Sequence, residues 1–192
     1  MTTKTPRRLV IGISGASGTI YGIRMLEFLK KMDIETHLVM SKSAEMTLVY
    51  ETDYKPKDIK TLASVVHPAA DIGASISSGS FATMGMIVVP CSIRTMSEIA
   101  TGITGTLLSR AADVVLKERR RLVLGIRETP LHTGHLRTMT QLSEMGAVIC
   151  PVVPAFYNRP KSLDDIVNHS VGRMLDLFDI DTGVVKRWKE EE

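Results

Sequence analysis

Five short, largely apolar runs, at 9–13, 36–40, 86–90, 122–126 and 147–151, recur along the chain with helix-length stretches between them. A strand that faces water on one side alternates apolar and polar residues, whereas a strand covered on both sides is apolar throughout. These runs therefore predict strands buried on both faces. The stretches between them space their apolar residues by three and four. Ile23, Leu26 and Leu29 form one stripe over 21–32, and Ile166, Val167, Val171, Met174, Leu175 and Phe178 form another over 163–178. Strands alternating with one-faced helices imply a parallel, doubly wound sheet with helices on both sides, an α/β three-layer α/β/α sandwich.

The chain has 192 residues, 44% of them hydrophobic, enough for one core, and it is read as one domain over 1–192 with a tail from about 184. A net charge of +3 and the lack of any long basic run argue against nucleic acid as a partner. No apolar stretch reaches the roughly 18 residues of a membrane span. Cys91 and Cys150 stand far apart in no metal-ligand spacing, which suits a reduced, cytoplasmic setting. The Ser- and Gly-rich segment 71–83 reads as a surface loop able to order against a ligand or a neighbouring subunit.

The first strand runs straight into Gly12-Ile13-Ser14-Gly15-Ala16-Ser17-Gly18 and then a helical pattern. Small residues at such a turn let backbone N–H groups meet an anion at a helix N-terminus. Ser14 takes the place of the middle glycine in the dinucleotide pattern Gly-x-Gly-x-x-Gly, and Met40 is followed by Ser41 and Lys42 where a ribose-binding acid is expected. A mononucleotide such as FMN fits better than NAD; a turn without any ligand is the bland alternative.

Two further loops follow strands, where an open parallel sheet forms its crevice. Cys91-Ser92-Ile93-Arg94-Thr95 offers hydroxyls that either cap the next helix or donate to a phosphate. Arg127-Glu128-Thr129-Pro130 puts a cation beside a carboxylate at another strand end, as an ion pair or as part of a site.

At these residues the chain resembles the UbiX-like flavin prenyltransferases, within a wider group of flavin-containing homo-oligomers that includes cysteine decarboxylases. The likeness is carried by Gly15-Ala16-Ser17-Gly18-x-x-Tyr21-Gly22, Ser41-Lys42, Glu51-Thr52-Asp53, Ser77-Ser78-Gly79-Ser80-Phe81, Pro90-Cys91-Ser92, the run from Arg110 through Lys117 to Arg120, Arg127-Glu128-x-Pro130-Leu131 and Pro154-Ala155-Phe156-Tyr157. The resemblance implies a Rossmann- or flavodoxin-like fold, assembly as a dodecamer, and a product handed to a UbiD-like decarboxylase, in ubiquinone synthesis or aromatic-acid breakdown. By position, Gly15, Ala16 and Ser17 would hold FMN, with Ser41, Ser92, Ile93, Arg94, Thr95 and Arg127 completing that pocket. Tyr157 and Arg173 would contact dimethylallyl phosphate. Arg110, Lys117 and Glu128 would line the same phosphate pocket, some from across a subunit interface, and Glu51 and Trp188 match further active-site positions.

The implied chemistry joins the prenyl carbon to N5 of reduced FMN and closes a ring onto C6 as phosphate leaves. Fixed cations, here Arg110, Lys117 and Arg173, suit the charge growing on that leaving group. Tyr157 and Trp188 could each stabilise an allylic cation by roughly 0.5–2 kcal/mol, although Trp188 could equally be an anchor for the tail. Ser17, Glu51, Glu128 or the released phosphate could take the C6 proton. No metal is expected, since no Asp-rich motif occurs and His132-x-x-His135 has no third ligand in view. Two other readings use the same fold. One is an FMN-dependent decarboxylase, for which a catalytic His in the first helix region is wanting; the other is a flavin carrier, which needs less polar chemistry than these residues offer.

Overall fold

All six strands of the sheet run parallel, in the order β3-β2-β1-β4-β5-β6. They are β1 (Arg8–Ile13), β2 (Glu35–Met40), β3 (Val65–His67), β4 (Gly85–Cys91), β5 (Arg121–Ile126) and β6 (Ala147–Ile149), in a computed structural model that describes residues 7–188. Met1 and the Glu190-Glu191-Glu192 end of the expected tail lie outside the described residues. The five apolar runs became strands. β3 was not anticipated, because an edge strand of three half-buried residues leaves too short an apolar signature. β6 is shorter than its run, although Cys150 and Val152 still donate backbone N–H bonds to Leu124 and Ile126 at 2.9 and 3.1 Å.

Side chains of successive strand residues point to opposite faces, so one strand feeds two cores. Leu9, Ile11 and Ile13 of β1 pack with Ile23, Leu26 and Leu29 of α1 (Thr19–Leu29) and with Val171, Met174 and Leu175 of a long C-terminal helix. Val10 of β1 and Met86 and Val88 of β4 face the other way. There they meet α4 (Ile93–Ala100), α5 (Leu107–Lys117) and α6 (Thr133–Glu144). The remaining helices are α2 (Lys42–Glu51), α3 (Pro56–Lys60) and α7 (Leu163–Asp176), the long C-terminal one. α1 begins two residues before its apolar stripe and ends three before Met32, and α7 ends before Phe178, because Lys31 and Phe178 close their ends with turn bonds to Phe28 and Leu175.

Two glycines set how closely these layers approach. Gly18 starts α1 at φ 96°, a backbone region that side chains with a β-carbon rarely enter. A β-carbon on Gly22 would stand 2.8 Å from the Val89 carbonyl oxygen, so glycine there lets α1 lie directly on the sheet.

The 71–83 segment is a loop holding one short 3-10 turn at Ser75–Ser77. The chain beyond Phe178 is folded back along α7, where a β-carbon on Gly172 would strike Val185. No helix among the described residues is long and apolar enough to cross a membrane.

Candidate active site

The winding reverses between β1 and β4: the chain leaves β1 towards one face through α1 and leaves β4 towards the other through α4. Such a switch point opens a crevice at the carboxyl ends of the strands. Ser14 ties the two strand ends together. Its hydroxyl donates to the Pro90 carbonyl at 2.9 Å and accepts the Ser92 backbone N–H at 2.7 Å, and the side chain is fully buried. Sequence reading took Ser14 only as a substitute for a glycine. Its real work is to fix the loop that carries Ser92.

The N-terminus of α1 does not stand open for a phosphate, as the Gly-rich turn had suggested. Glu51, the last residue of α2, already fills it: its carboxylate accepts the backbone N–H groups of Gly18 and Thr19 at 2.9 and 3.1 Å and the Thr19 hydroxyl at 3.0 Å. Burial works to raise the Glu51 pKa, but hydrogen bonds from Ser17, Thr19 and Gly18 outweigh it and hold the group below the ordinary carboxylate range. Gly15, Ala16 and Ser17 therefore form the crevice wall beside a fixed negative charge, with Ser17 exposed.

The anion-ready helix ends lie next door. Ser41 caps α2 by accepting the Ala44 N–H at 3.1 Å, and Ser92 caps α4 by accepting the Thr95 N–H at 3.3 Å. Both open on one hollow of about 490 Å³, which Thr106 at the start of α5 also lines. Lys42 and Arg94 stand at its edge, while Met46, Ala69 and Leu108 give it apolar wall. Hydroxyls and two helix N-termini on one side and apolar surface on the other suit a phosphorylated, planar aromatic ligand. Arg94 is exposed and paired with Glu98 at 2.8 Å, so the hydroxyls rather than that cation form the inner surface. Ile93 is half-buried behind them. Met46, Thr106 and Leu108 escaped the sequence reading because they come from three separate segments.

Arg127 follows β5 directly; its backbone N–H meets the Cys91 carbonyl at 3.1 Å, and its side chain and that of Glu128 are exposed at the same rim. One strand further on lies a second hollow, of about 340 Å³, lined by Cys150, Pro151, Tyr157, His169 and Arg173. The Tyr157 hydroxyl is 3.0 Å from His169 Nε2. Trp188 stands edge-on to Tyr157 with ring centres 5.5 Å apart, while remaining 68% exposed. Asp176 pairs with Arg173 at 2.6 Å and with Arg187 at 3.2 Å, so one carboxylate holds both the cation of the hollow and the strand of tail that brings Trp188. His169 and Asp176 went unnoticed in sequence, although each lies one helical turn from Arg173.

Lys117 is not brought to this rim within the chain. Lys117 ends α5, just before β5 enters the sheet at Arg121, which places it at the amino end beside Gly79 and in a hydrogen bond to Glu118. Arg110 lies two turns earlier on the same helix, just after Thr106 and Leu108 of the larger hollow, and pairs with Asp113 at 2.7 Å. The described residues hold no group of three His, Cys, Asp or Glu side chains placed to share a metal ion. Burial raises the Cys91 thiol's pKa well above its usual range, which keeps it an unreactive core residue.

A family model described as Flavoprotein matches residues 1–187. Flavin prenyltransferase UbiX of Thauera aromatica is 60% identical over 185 residues, spanning 96% of this chain and 95% of that protein. This chain belongs to the UbiX flavin prenyltransferase family. A crystal structure of AnUbiX (PadA1) in complex with FMN and dimethylallyl pyrophosphate superposes with a TM-score of 0.95 at 54% identity, covering 97% of this chain and 99% of that one. A dodecameric FMN-dependent Ubix-like decarboxylase from Escherichia coli O157:H7 gives 0.93 at 50% identity over 95% and 99%. The family's fold is thus the one built here from alternating strands and helices.

Proposed function

We propose that this chain transfers the dimethylallyl group of dimethylallyl phosphate to N5 and C6 of reduced FMN, releasing phosphate and supplying prenylated FMN to a UbiD-like decarboxylase. The observation that carries the reading is the pair of hollows on one rim: a hydroxyl-lined one at two helix N-termini, and a cation- and aromatic-lined one against Tyr157 and Arg173. Membership of a family named for this activity supports it, as does the relative whose crystal structure holds FMN with an allylic diphosphate.

In this reading Ser41, Ser92 and Thr95 hold the FMN phosphate, while Gly15, Ala16, Ser17 and Arg127 border the ring. Bound reduced FMN supplies the nucleophilic nitrogen and the aromatic carbon that the prenyl group joins. Arg173 and Tyr157 hold the donor's phosphate and stabilise the charge it gains on leaving. Tyr157 and Trp188 present aromatic faces to the allylic carbons and exclude water. Glu51 stays ionised and, through Ser17, can take up a proton at the flavin's edge; Glu128 is the second candidate. Lys117 completes the phosphate pocket of a neighbouring copy in a homo-oligomer, since its own chain carries it to the far end of the sheet, and Arg110 lines that pocket as well. One domain containing both cores and two free thiols fits a cytoplasmic enzyme.

The test is anaerobic incubation of the purified protein with reduced FMN and dimethylallyl phosphate, followed by the mass of the flavin. A gain of one five-carbon unit is expected. Tightly bound but unaltered flavin would instead identify a carrier.

A further inference from the structure

His169 sits one turn before Arg173 on α7, only 5% exposed, with its ring edge-on to Tyr157 at 5.6 Å and 82°. Its Nε2 is 3.0 Å from the Tyr157 hydroxyl, and no described residue hydrogen-bonds its Nδ1. An anion held beside Arg173 is bound by hydrogen-bond donors, and the phenol proton is free for it only when His169 donates, so the imidazole proton belongs on Nε2. That proton then points at the phenol oxygen. The oxygen accepts it, and the phenol's own O–H must turn elsewhere, into the hollow that Arg173 lines.

We infer that His169 is a positioning residue: its Nε2–H locks the Tyr157 hydroxyl as a hydrogen-bond donor aimed at the donor substrate's phosphate. With the opposite tautomer the hydroxyl would spend its proton on His169 and present only lone pairs to an anion. Burial, then the nearby Arg173 charge, lowers the His169 pKa below 6.5, so the ring is neutral at neutral pH and the choice of tautomer decides the polarity. Added acid protonates Nδ1 and leaves the Nε2–H in place. The inference rests on the reading that Tyr157 binds the donor.

The experiment measures donor KM, kcat and FMN affinity for wild type, Tyr157→Phe, His169→Leu, His169→Gln and the Tyr157→Phe/His169→Leu double variant. Gln can keep a donor where Nε2 stands, so it should lie within about twofold of wild type. His169→Leu should lower kcat/KM for the donor about fivefold, through a higher KM and a lower kcat together, with FMN affinity nearly unchanged, the size of one lost hydrogen bond. In the Tyr157→Phe background the same change should add almost nothing. An undiminished His169→Leu effect there, or a silent His169→Leu beside a damaging Tyr157→Phe, overturns the role given to His169. A silent Tyr157→Phe sinks the reading of Tyr157 itself. Should His169→Leu fail to fold, nitrogen NMR of the native protein decides the tautomer, and a proton found on Nδ1 at neutral pH overturns the inference.

Discussion

Glu51 closes the N-terminus of α1 through Thr19, one carboxylate oxygen accepting both its backbone N–H at 3.1 Å and its hydroxyl at 3.0 Å. A carboxylate from a different helix thus does what a local cap residue usually does, because Gly18 at the cap position has no side chain to offer. Glu51→Gln keeps the shape and removes the charge. At neutral pH it should cost about 1 kcal/mol in a urea denaturation, the scale of a cap at a partly exposed helix end. The folded pKa lies below the unfolded one, so the stabilisation is present above the ordinary carboxylate range and fades as pH falls through the lowered value. The gap between wild type and variant should accordingly close in acid. A gap that persists at a pH below both pKa values would show that charge is not its source.

Ser14→Ala tests the tie between the strand ends. The substitution leaves the half-buried Ser92 N–H without its acceptor, a loss of about 1 kcal/mol. The Ser92 loop borders the larger hollow, so FMN affinity, read by flavin fluorescence titration, should fall with stability. Wild-type affinity in a destabilised variant would mean that the loop is positioned by other contacts.

The sheet was legible because burial on both faces demands largely apolar runs, and β1, β4 and β5 have little freedom to be anything else. β3 was not, since half-buried edge residues such as Val65 and Val66 carry little pattern. Within the site, local features were readable: Ser41 and Ser92 stand at helix starts and act as caps, as their positions imply. Relationships across long sequence separations were not. Nothing near Gly18 in the chain announces that Glu51, thirty-three residues on, will occupy its N–H. Nor does the spacing of Lys117 and Arg127 reveal that β5 carries them to opposite ends of the sheet.

The buried His37 and its half-buried partner His67 should govern acid stability. His37 Nε2 lies 2.9 Å from Glu35 and its Nδ1 lies 3.0 Å from His67, with the Phe81 ring edge-on and Arg8 bound to Glu35 at 3.1 Å. Burial lowers the pKa of both rings, and for His37 it outweighs the Glu35 carboxylate that works the other way. Histidines whose folded pKa is depressed take up protons more readily when unfolded. Stability is therefore full above the unfolded value near 6.5 and declines as pH falls below it, down to the folded pKa. Urea midpoints should drop between pH 7.5 and 5.5, and His67→Gln should flatten that slope whatever it does to stability at pH 7.5. An unchanged slope would assign the acid sensitivity to other groups, His169 first among them.

The placement of Lys117 leads to a complementation experiment. If each reaction site combines Arg127 of one chain with Lys117 of another, Lys117→Ala and Arg127→Ala oligomers should each make little prenylated flavin. Mixed oligomers, refolded or co-expressed in equal amounts, would contain sites in which both residues are intact. Random assembly puts the Lys117→Ala chain on the Arg127 side and the Arg127→Ala chain on the Lys117 side in about a quarter of the sites. Activity should therefore recover to roughly that fraction of wild type. A site built wholly within one chain would recover nothing, because every chain in the mixture carries one lesion. Recovery thus reads directly whether the amino end of one sheet meets the carboxyl rim of another.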